Sequence, residues 1–491
     1  MKRTFAVFAG LMLGMLLASL NQTIVATALP KITADLGGLS QYSWVFSAYM
    51  LGATVTVPLY GKLSDVYGRR PFFMLGILLF SAGSLISGFA PSMEVLIAGR
   101  AVQGLGAGGL IPLAMAVIGD IVPPRRRGKW QALTGVVFGT ASVIGPATGG
   151  FIADNASWRW AFFVSLPLGL LALVVVWFTF GKQERHERHS IDYRGAMLLT
   201  AGATTGLLAA VWGGHEFPWS SPEVIGLFLV AAALLIAFVV WEHRAAEPIL
   251  PPRLFANRTF AASQLALFMM GGAMFGAIYF VPLFVQAALG ESATHSGAVL
   301  TPLMLGLIAA SVTAGQIVSR TGRYRGVLFA GPPIMATGFF LLTRLGVESS
   351  SSRVTGAVVI VGIGIGLVMQ TFTVVVQNTV RRREIGVATA SAQFFRSIGA
   401  TIAVTAMGAI VTSGIGTDVT DHVDPKALAA AVHPVFWLGV VLGGIALAAV
   451  FFVEHVELRA TMTEDPVEPA SAPSAEPKRR PAPARLAEER A

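Results

Sequence analysis

The chain has 491 residues, of which 54% are hydrophobic and only 12% charged, where a soluble domain averages about 25% charged. It contains no cysteine, which excludes a disulfide framework, thiolate chemistry and a cysteine-bound metal. Its net charge of +9 sits at the ends of long apolar stretches, so it reports membrane topology and anionic lipid, not nucleic acid.

Fourteen charge-free stretches reach 18 residues or more: Thr4–Pro30, Leu36–Gly61, Pro71–Met93, Ala101–Gly119, Trp130–Ala153, Trp160–Gly181, Gly195–His215, Val224–Trp241, Thr259–Gly290, Ser292–Ser319, Gly326–Thr343, Val354–Val380, Ser397–Thr417 and Ala427–Val453. A helix crosses the hydrocarbon core in about 20 apolar residues. Runs this long exclude the alternating ~10-residue strands of a barrel. An all-α polytopic membrane protein with fourteen spans is expected.

The first span follows Lys2 and Arg3 and contains Ala26-Thr27-Ala28, which resembles a signal-cleavage site. Its apolar run is longer than a signal core and thirteen more follow, so it reads as a true span. Asn21, Gln22 and Thr23 place polar groups within it. Between spans 2 and 3 runs Gly61-Lys-Leu-Ser-Asp65-Val-Tyr-Gly68-Arg69-Arg70. Gly61 and Gly68 permit a tight turn, and Asp65 can accept from helix amides or an arginine. Arg100 lies inside span 4, about 8 Å deep at 1.5 Å per residue. It faces a cavity or a partner, or it snorkels to the headgroups. Gln103 follows it one turn later. In span 5, Gly145-Pro146 and Gly149-Gly150 form a small-residue face with a proline, read as a hinge or tight seam. Spans 2 and 9 carry Phe46, Tyr49, Phe268, Met269, Met270, Met274, Phe275 and Tyr279, candidates for an adaptable apolar cavity. Arg396, near the inner end of span 13, is read three ways: neutralising a helix end, binding an anion, or snorkelling inward. Residues 454–491 are rich in Pro, Ala, Glu and Arg and read as a disordered tail.

With the N-terminus inside, 28 of the 35 Lys and Arg fall on that side, five fall outside, and Arg100 and Arg396 lie within spans. This bias places both termini in the cytoplasm of a cell membrane. A weak repeat supports two related halves. Gly61-x6-Gly68-Arg69 is echoed by Gly315-x6-Gly322-Arg323, eight spans later. The expected division is 1–181, a six-helix bundle; 182–258, two extra helices; 259–453, a second six-helix bundle; and 454–491, the tail. Paired halves are how many carriers build alternating access.

These motifs carry a resemblance. The 61–70 loop resembles the signature loop of the major facilitator superfamily. Arg100-Ala-Val-Gln-Gly104 looks like its span-4 arginine motif, and Gly145-Pro-Ala-Thr-Gly-Gly150 like the antiporter motif of its drug exporters. Trp158-Arg-Trp160 and Glu247-Pro-Ile-Leu-Pro-Pro-Arg-Leu-Phe255 are similar to the 14-helix drug:proton antiporters. The resemblance covers about residues 1–454. It implies a major facilitator fold arranged 6+2+6, with Gly61, Asp65, Gly68, Arg69 and Arg70 latching the halves in the outward-facing state. It also implies proton antiport, with an aspartate at the place of Asn21 as proton site and partner of the span-4 arginine. Here that residue is an amide and carries no proton. The antiporter motif also has Ala141 where the family has glycine.

All 26 Asp and Glu are read as lying in loops and termini, and all eight His outside the spans, with His215 and His295 at outer ends. A proton-coupled carrier normally keeps a titratable group in its cavity. Such a group must then sit at a helix end, with Asp35, Glu94, Asp154 and His295 as the outer candidates; otherwise coupling uses the substrate's own proton or does not occur. Two intramembrane arginines without an intramembrane acid favour neutral, zwitterionic or anionic substrates over lipophilic cations. Asn21, Thr23, Arg100 and Gln103 are the candidates for substrate handling and coupling, with Tyr49, Phe268, Met274, Tyr279 and Arg396 as cavity candidates. Gly-x4-Gly-Lys-Ser/Thr is absent from the sequence, so ATP is not expected to drive transport. No catalytic constellation, cofactor or metal site is expected, and a monomer is. The function expected is secondary export of amphipathic small molecules, such as drugs, secondary metabolites or lipid-like compounds. A non-transporting receptor on a carrier fold and a nutrient importer are the alternatives.

Overall fold

The computed structural model describes residues 2–121, 124–180, 192–213, 217–245, 248, 250–380, 384–415 and 425–454, and gives Gly61 and Asp65 by backbone alone. Residues 181–191 and 455–491, where an inner loop and a tail are expected, lie outside the described residues. Fifteen α-helices are described: α1 (Lys2–Leu36), α2 (Tyr42–Tyr67), α3 (Arg69–Gly88), α4 (Met93–Ile121), α5 (Pro124–Asn155), α6 (Trp160–Phe163), α7 (Ser165–Thr179), α8 (Tyr193–Trp212), α9 (Pro222–Glu242), α10 (Arg258–Leu283), α11 (Ala293–Thr321), α12 (Arg325–Leu342), α13 (Ser351–Asn378), α14 (Ile385–Ile415) and α15 (Pro425–Phe451). Twelve candidate spans among the described residues are long and apolar enough to cross a membrane, the short α6 and α7 together making one of them. The two other predicted spans fall on α2 and α8, which are helices but are not among those twelve.

Helices prevail because lipid offers no hydrogen-bond partner to an open backbone. Their starts are capped where side chains allow. Ser221 accepts from the Val224 amide at 3.3 Å, Asn257 from Phe260 at 3.1 Å and Ser292 from His295 at 3.0 Å, as N-caps do. The predicted loop 61–70 is mostly helix: α2 runs to Tyr67, and the turn is Gly68 alone, with φ 97°. Its echo Gly322 ends α11 with φ 67°. Both conformations suit glycine because no Cβ crowds the carbonyl.

The packing repeats. In the first bundle α1 pairs with α5 and α7, α2 with α4, and α3 with α4 and α7. In the second, α10 pairs with α14 and α15, α11 with α13, and α12 with α13 and α15. The two meet where α5 lies on α11 and α2 on α14, with α1 against α10 and α11. The pair α8–α9 stands at the side, α8 touching α2 and α14. Large apolar side chains such as Phe178, Leu229, Ile236 and Phe451 remain exposed, which lipid-facing surfaces require and water would penalise.

Candidate functional site

Arg100 organises the centre of the first bundle. α4 holds it fully buried, so the snorkelling reading is wrong: the guanidinium points into protein. Nε donates to the Val45 carbonyl at 3.1 Å. Nη1 donates to Asn21 Oδ1 at 2.8 Å and to Gln103 Oε1 at 2.6 Å. The guanidinium carbon lies 4.2 Å from the Tyr49 ring centre, a cation–π contact strengthened by desolvation. Gln103 passes the network on, its Nε2 donating to Ser84 Oγ at 2.7 Å, and Ser165 Oγ donates to the same Ser84 at 3.0 Å. Gly104 makes this possible: a Cβ there would lie 2.1 Å from the Tyr49 carbonyl. α2 therefore packs against α4 closely enough to bring Tyr49 under the arginine. Every hydrogen-bond acceptor of Arg100 is neutral, and among the described residues no ion pair includes it.

Tyr279 reaches this cluster from α10 in the other bundle and interacts with the guanidinium. Its hydroxyl donates to the Gln22 carbonyl at 3.4 Å, and Tyr42 donates to the Tyr279 carbonyl at 2.6 Å. Phe46 lies tilted against it, with ring centres 4.6 Å from Tyr279 and 5.1 Å from Phe275. Ser47 and Thr405 hydroxyls meet at 2.8 Å between α2 and α14, and Gln286 donates to the Thr27 carbonyl at 2.8 Å. These contacts form a seam between bundles at the end that the charge bias assigns to the outside, called the outer end below.

The 145–150 motif builds the rest of the seam. Thr23 donates to the Ala141 carbonyl at 3.2 Å, and a Cβ on Gly145 would lie 1.8 Å from Thr23 Oγ1. Gly149 sits likewise on Thr27. Thr23 thus clamps α1 to α5 and does not join Arg100. Gly150 faces the opposite bundle, where a Cβ would lie 2.2 Å from the Ala293 carbonyl. Reciprocally, a Cβ on Gly297 would lie 2.2 Å from the Pro146 carbonyl. Asp154, one turn past Gly150, accepts from the Ala293 amide at 3.1 Å and the Thr294 amide at 2.6 Å. A carboxylate of one bundle therefore caps the α11 N-terminus of the other, where the helix dipole favours negative charge. Lys31 approaches it at 3.6 Å but is half exposed and contributes little.

The remaining candidates lie elsewhere. The Asp65 side chain lies outside what the structure describes. Arg69 donates to Ser64 Oγ at 2.9 Å, and Arg70 donates to the Trp177 carbonyl at 2.9 Å with its guanidinium over that ring. Those bonds stay within the first bundle. Phe268 and Met274 are partly buried on α10. Arg396 is also partly buried, hydrogen-bonded to Gln393 and 3.9 Å from Met369 Sδ.

Two readings of the titratable groups need correction. Helices run past the charge-free stretches, so Asp35, Glu94, Asp154, Glu223 and Glu242 lie within helix ends, not in loops. His433 lies inside α15, its Nε2 2.5 Å from the Leu345 carbonyl. Sequence reasoning also missed Tyr42, Ser47 and Thr405 as seam residues. A lone hydroxyl in an apolar run carries no signal of which helix it will meet.

Comparison with known proteins agrees with this architecture. The family model for the Major Facilitator Superfamily matches residues 11–404. A protein of Bacillus subtilis (strain 168) named multidrug transporter protein MdtP is 42% identical over 426 residues, covering 86% of this chain and 78% of its own length. Multidrug resistance protein 3 of the same organism is 37% identical over 407 residues, covering 83% and 79%. Among solved structures, an auto-inhibited POT family peptide transporter superposes with a TM-score of 0.67 at 14% identity, covering 94% of this chain and 99% of that one. At that identity the likeness concerns the fold alone.

Proposed function

This chain belongs to the Major Facilitator Superfamily, and from that premise we propose that it exports amphipathic small molecules from the cell by alternating access. It is a multi-pass membrane protein, and two of its relatives are named a multidrug transporter and a multidrug resistance protein. The observation that carries the reading is the seam. Two bundles of like packing touch through carbonyl, hydroxyl and glycine contacts at one end, with a buried arginine just behind. Such a seam opens by rigid-body rocking without unfolding either bundle. In the orientation set by the charge bias, with both termini in the cytoplasm of the cell membrane, the described conformation is closed outside. Fourteen spans arranged 6+2+6, with α8 and α9 as the extra pair, complete the proposal.

Proton coupling is proposed from the family. The Arg100 cluster offers Asn21, Gln103 and Ser84, none of which releases a proton near neutrality, so the coupling group lies outside it. Asp154 is a described carboxylate that touches both bundles. Asp154→Asn keeps the shape but turns one acceptor into a donor facing a helix amide. Each charge-assisted bond contributes about 1.5–3 kcal/mol, so the closed state should lose roughly tenfold or more in population. A single cysteine at Thr294, in a chain that has no other cysteine, should then react faster with a membrane-impermeant thiol reagent applied outside. Unchanged labelling would show that Asp154 does not hold the seam.

Export itself is tested with purified protein in liposomes, following substrate-induced proton flux over several pH gradients. Neutral and acidic amphiphiles should drive flux more strongly than ethidium-like cations. Ethidium resistance in cells with no gain against acidic compounds would refute the substrate preference, and transport without proton movement would refute the coupling.

A further inference from the structure

We propose that Arg100 is the seat of a bound anion, held against the guanidinium and the Asn21 amide. The inference deepens the export reading and rests on it. Arg100 is fully buried, its hydrogen-bond acceptors within 3.1 Å are a carbonyl and two carboxamides, the Tyr279 hydroxyl that also interacts with it is neutral, and no ion pair among the described residues includes it. Neutral acceptors and the Tyr49 face disperse the charge but do not cancel it, and a buried ion without a counter-ion is costly. Two donors at this contact are also unspent. Arg100 Nη2 and Asn21 Nδ2 are buried without a hydrogen-bond partner, and both belong to the groups joined by the 2.8 Å bond from Nη1 to Oδ1. A buried donor left unpaired costs about 1–3 kcal/mol. One monovalent anion answers the missing charge and both spare donors.

Access follows from the seam. Tyr279, which lies against Arg100, belongs to the other bundle. Separating the bundles at the outer end draws Tyr279 away and uncovers the guanidinium. The anion is therefore released to the outside when the seam opens and is held while it is closed. Its chemistry is a small inorganic anion or the acidic group of the exported compound, since both present a single negative charge to the same donors.

The test is the thermal stability of the full-length protein in detergent, at constant ionic strength in sodium gluconate. Chloride replaces gluconate stepwise; in parallel, octanoate is compared with octanamide. A saturable rise in Tm of roughly 2–5 °C is expected. A rise with chloride assigns the site to an inorganic anion. A rise with octanoate but neither octanamide nor chloride assigns it to the substrate's acidic group. In Asn21→Asp the site carries its own carboxylate, and the response should vanish. Should that variant not fold, Asn21→Leu decides, because loss of Nδ2 should raise the half-saturating concentration about tenfold. No rise with either anion, or an undiminished response in the Asn21 variants, overturns the proposal. Liposome export separates the two readings. Export without any anion effect leaves the transporter standing and removes the anion site; an anion response without export does the reverse.

Discussion

Arg100→Met should remove most of the transport while leaving the fold standing. Deleting the charge relieves the cost of burying it, several kcal/mol for an ion in a real protein interior. It also leaves Asn21 Oδ1 and Gln103 Oε1 without their donor, at about 1–3 kcal/mol each, while the Val45 carbonyl keeps its place in the α2 ladder. The two effects oppose, so the net stability change should stay within about 3 kcal/mol, and methionine fills much of the space. Transport has no such compensation, because no other buried cation is described at the seam. Initial rates in liposomes should fall more than tenfold, an effect of about 1.4 kcal/mol or more on the rate-limiting step. Arg100→Lys sharpens the result. Lysine keeps the charge but not the planar fork that reaches three acceptors at once. Activity near that of methionine means that geometry matters; activity near wild type means that charge suffices. A methionine variant that transports normally would remove Arg100 from the mechanism.

Gly150→Val should prevent the outer seam from closing. Even the Cβ of alanine would lie 2.2 Å from the Ala293 carbonyl, and this obstacle is helix backbone, which cannot rotate aside. Overpacking inside one bundle costs about 1–3 kcal/mol. Between two bodies that move apart in each cycle, the strain is relieved by staying apart. Export should fall more than tenfold, since each 1.4 kcal/mol is tenfold, and a cysteine at Thr294 should become more reactive from outside. Gly444→Val is the control: nothing lies within 4 Å of a Cβ there, and both readings should be unchanged. If Gly150→Val transports and labels like the wild type, α5 and α11 do not close as one seam.

The resemblance paired the place of Asn21 with the span-4 arginine, and Asn21 and Arg100 meet at 2.8 Å. Tyr49 and Tyr279 entered only as aromatics of a general cavity, yet both stand against that guanidinium. Thr23, two residues from Asn21, was grouped with the arginine and instead faces α5. Two positions turn a helix by about 200°, and periodicity alone does not say which neighbour awaits on each side. Asp154 was one of four outer candidates; its role at the α11 N-terminus was illegible because that partner lies 139 positions away.

Solvent explains the division. Lipid demands long apolar helices with charges at their ends, and that demand is written residue by residue, so the membrane class, most helix positions and the repeated glycine turns are readable from the amino-acid sequence. Which helices touch is decided by fit between surfaces that are all apolar. In lipid no hydrophobic gain distinguishes one such pairing from another. Small residues and single hydroxyls choose the partners there, and their meaning exists only once the bundles are assembled: Gly150 against Ala293, Ser47 against Thr405, Asp154 against the first amides of α11.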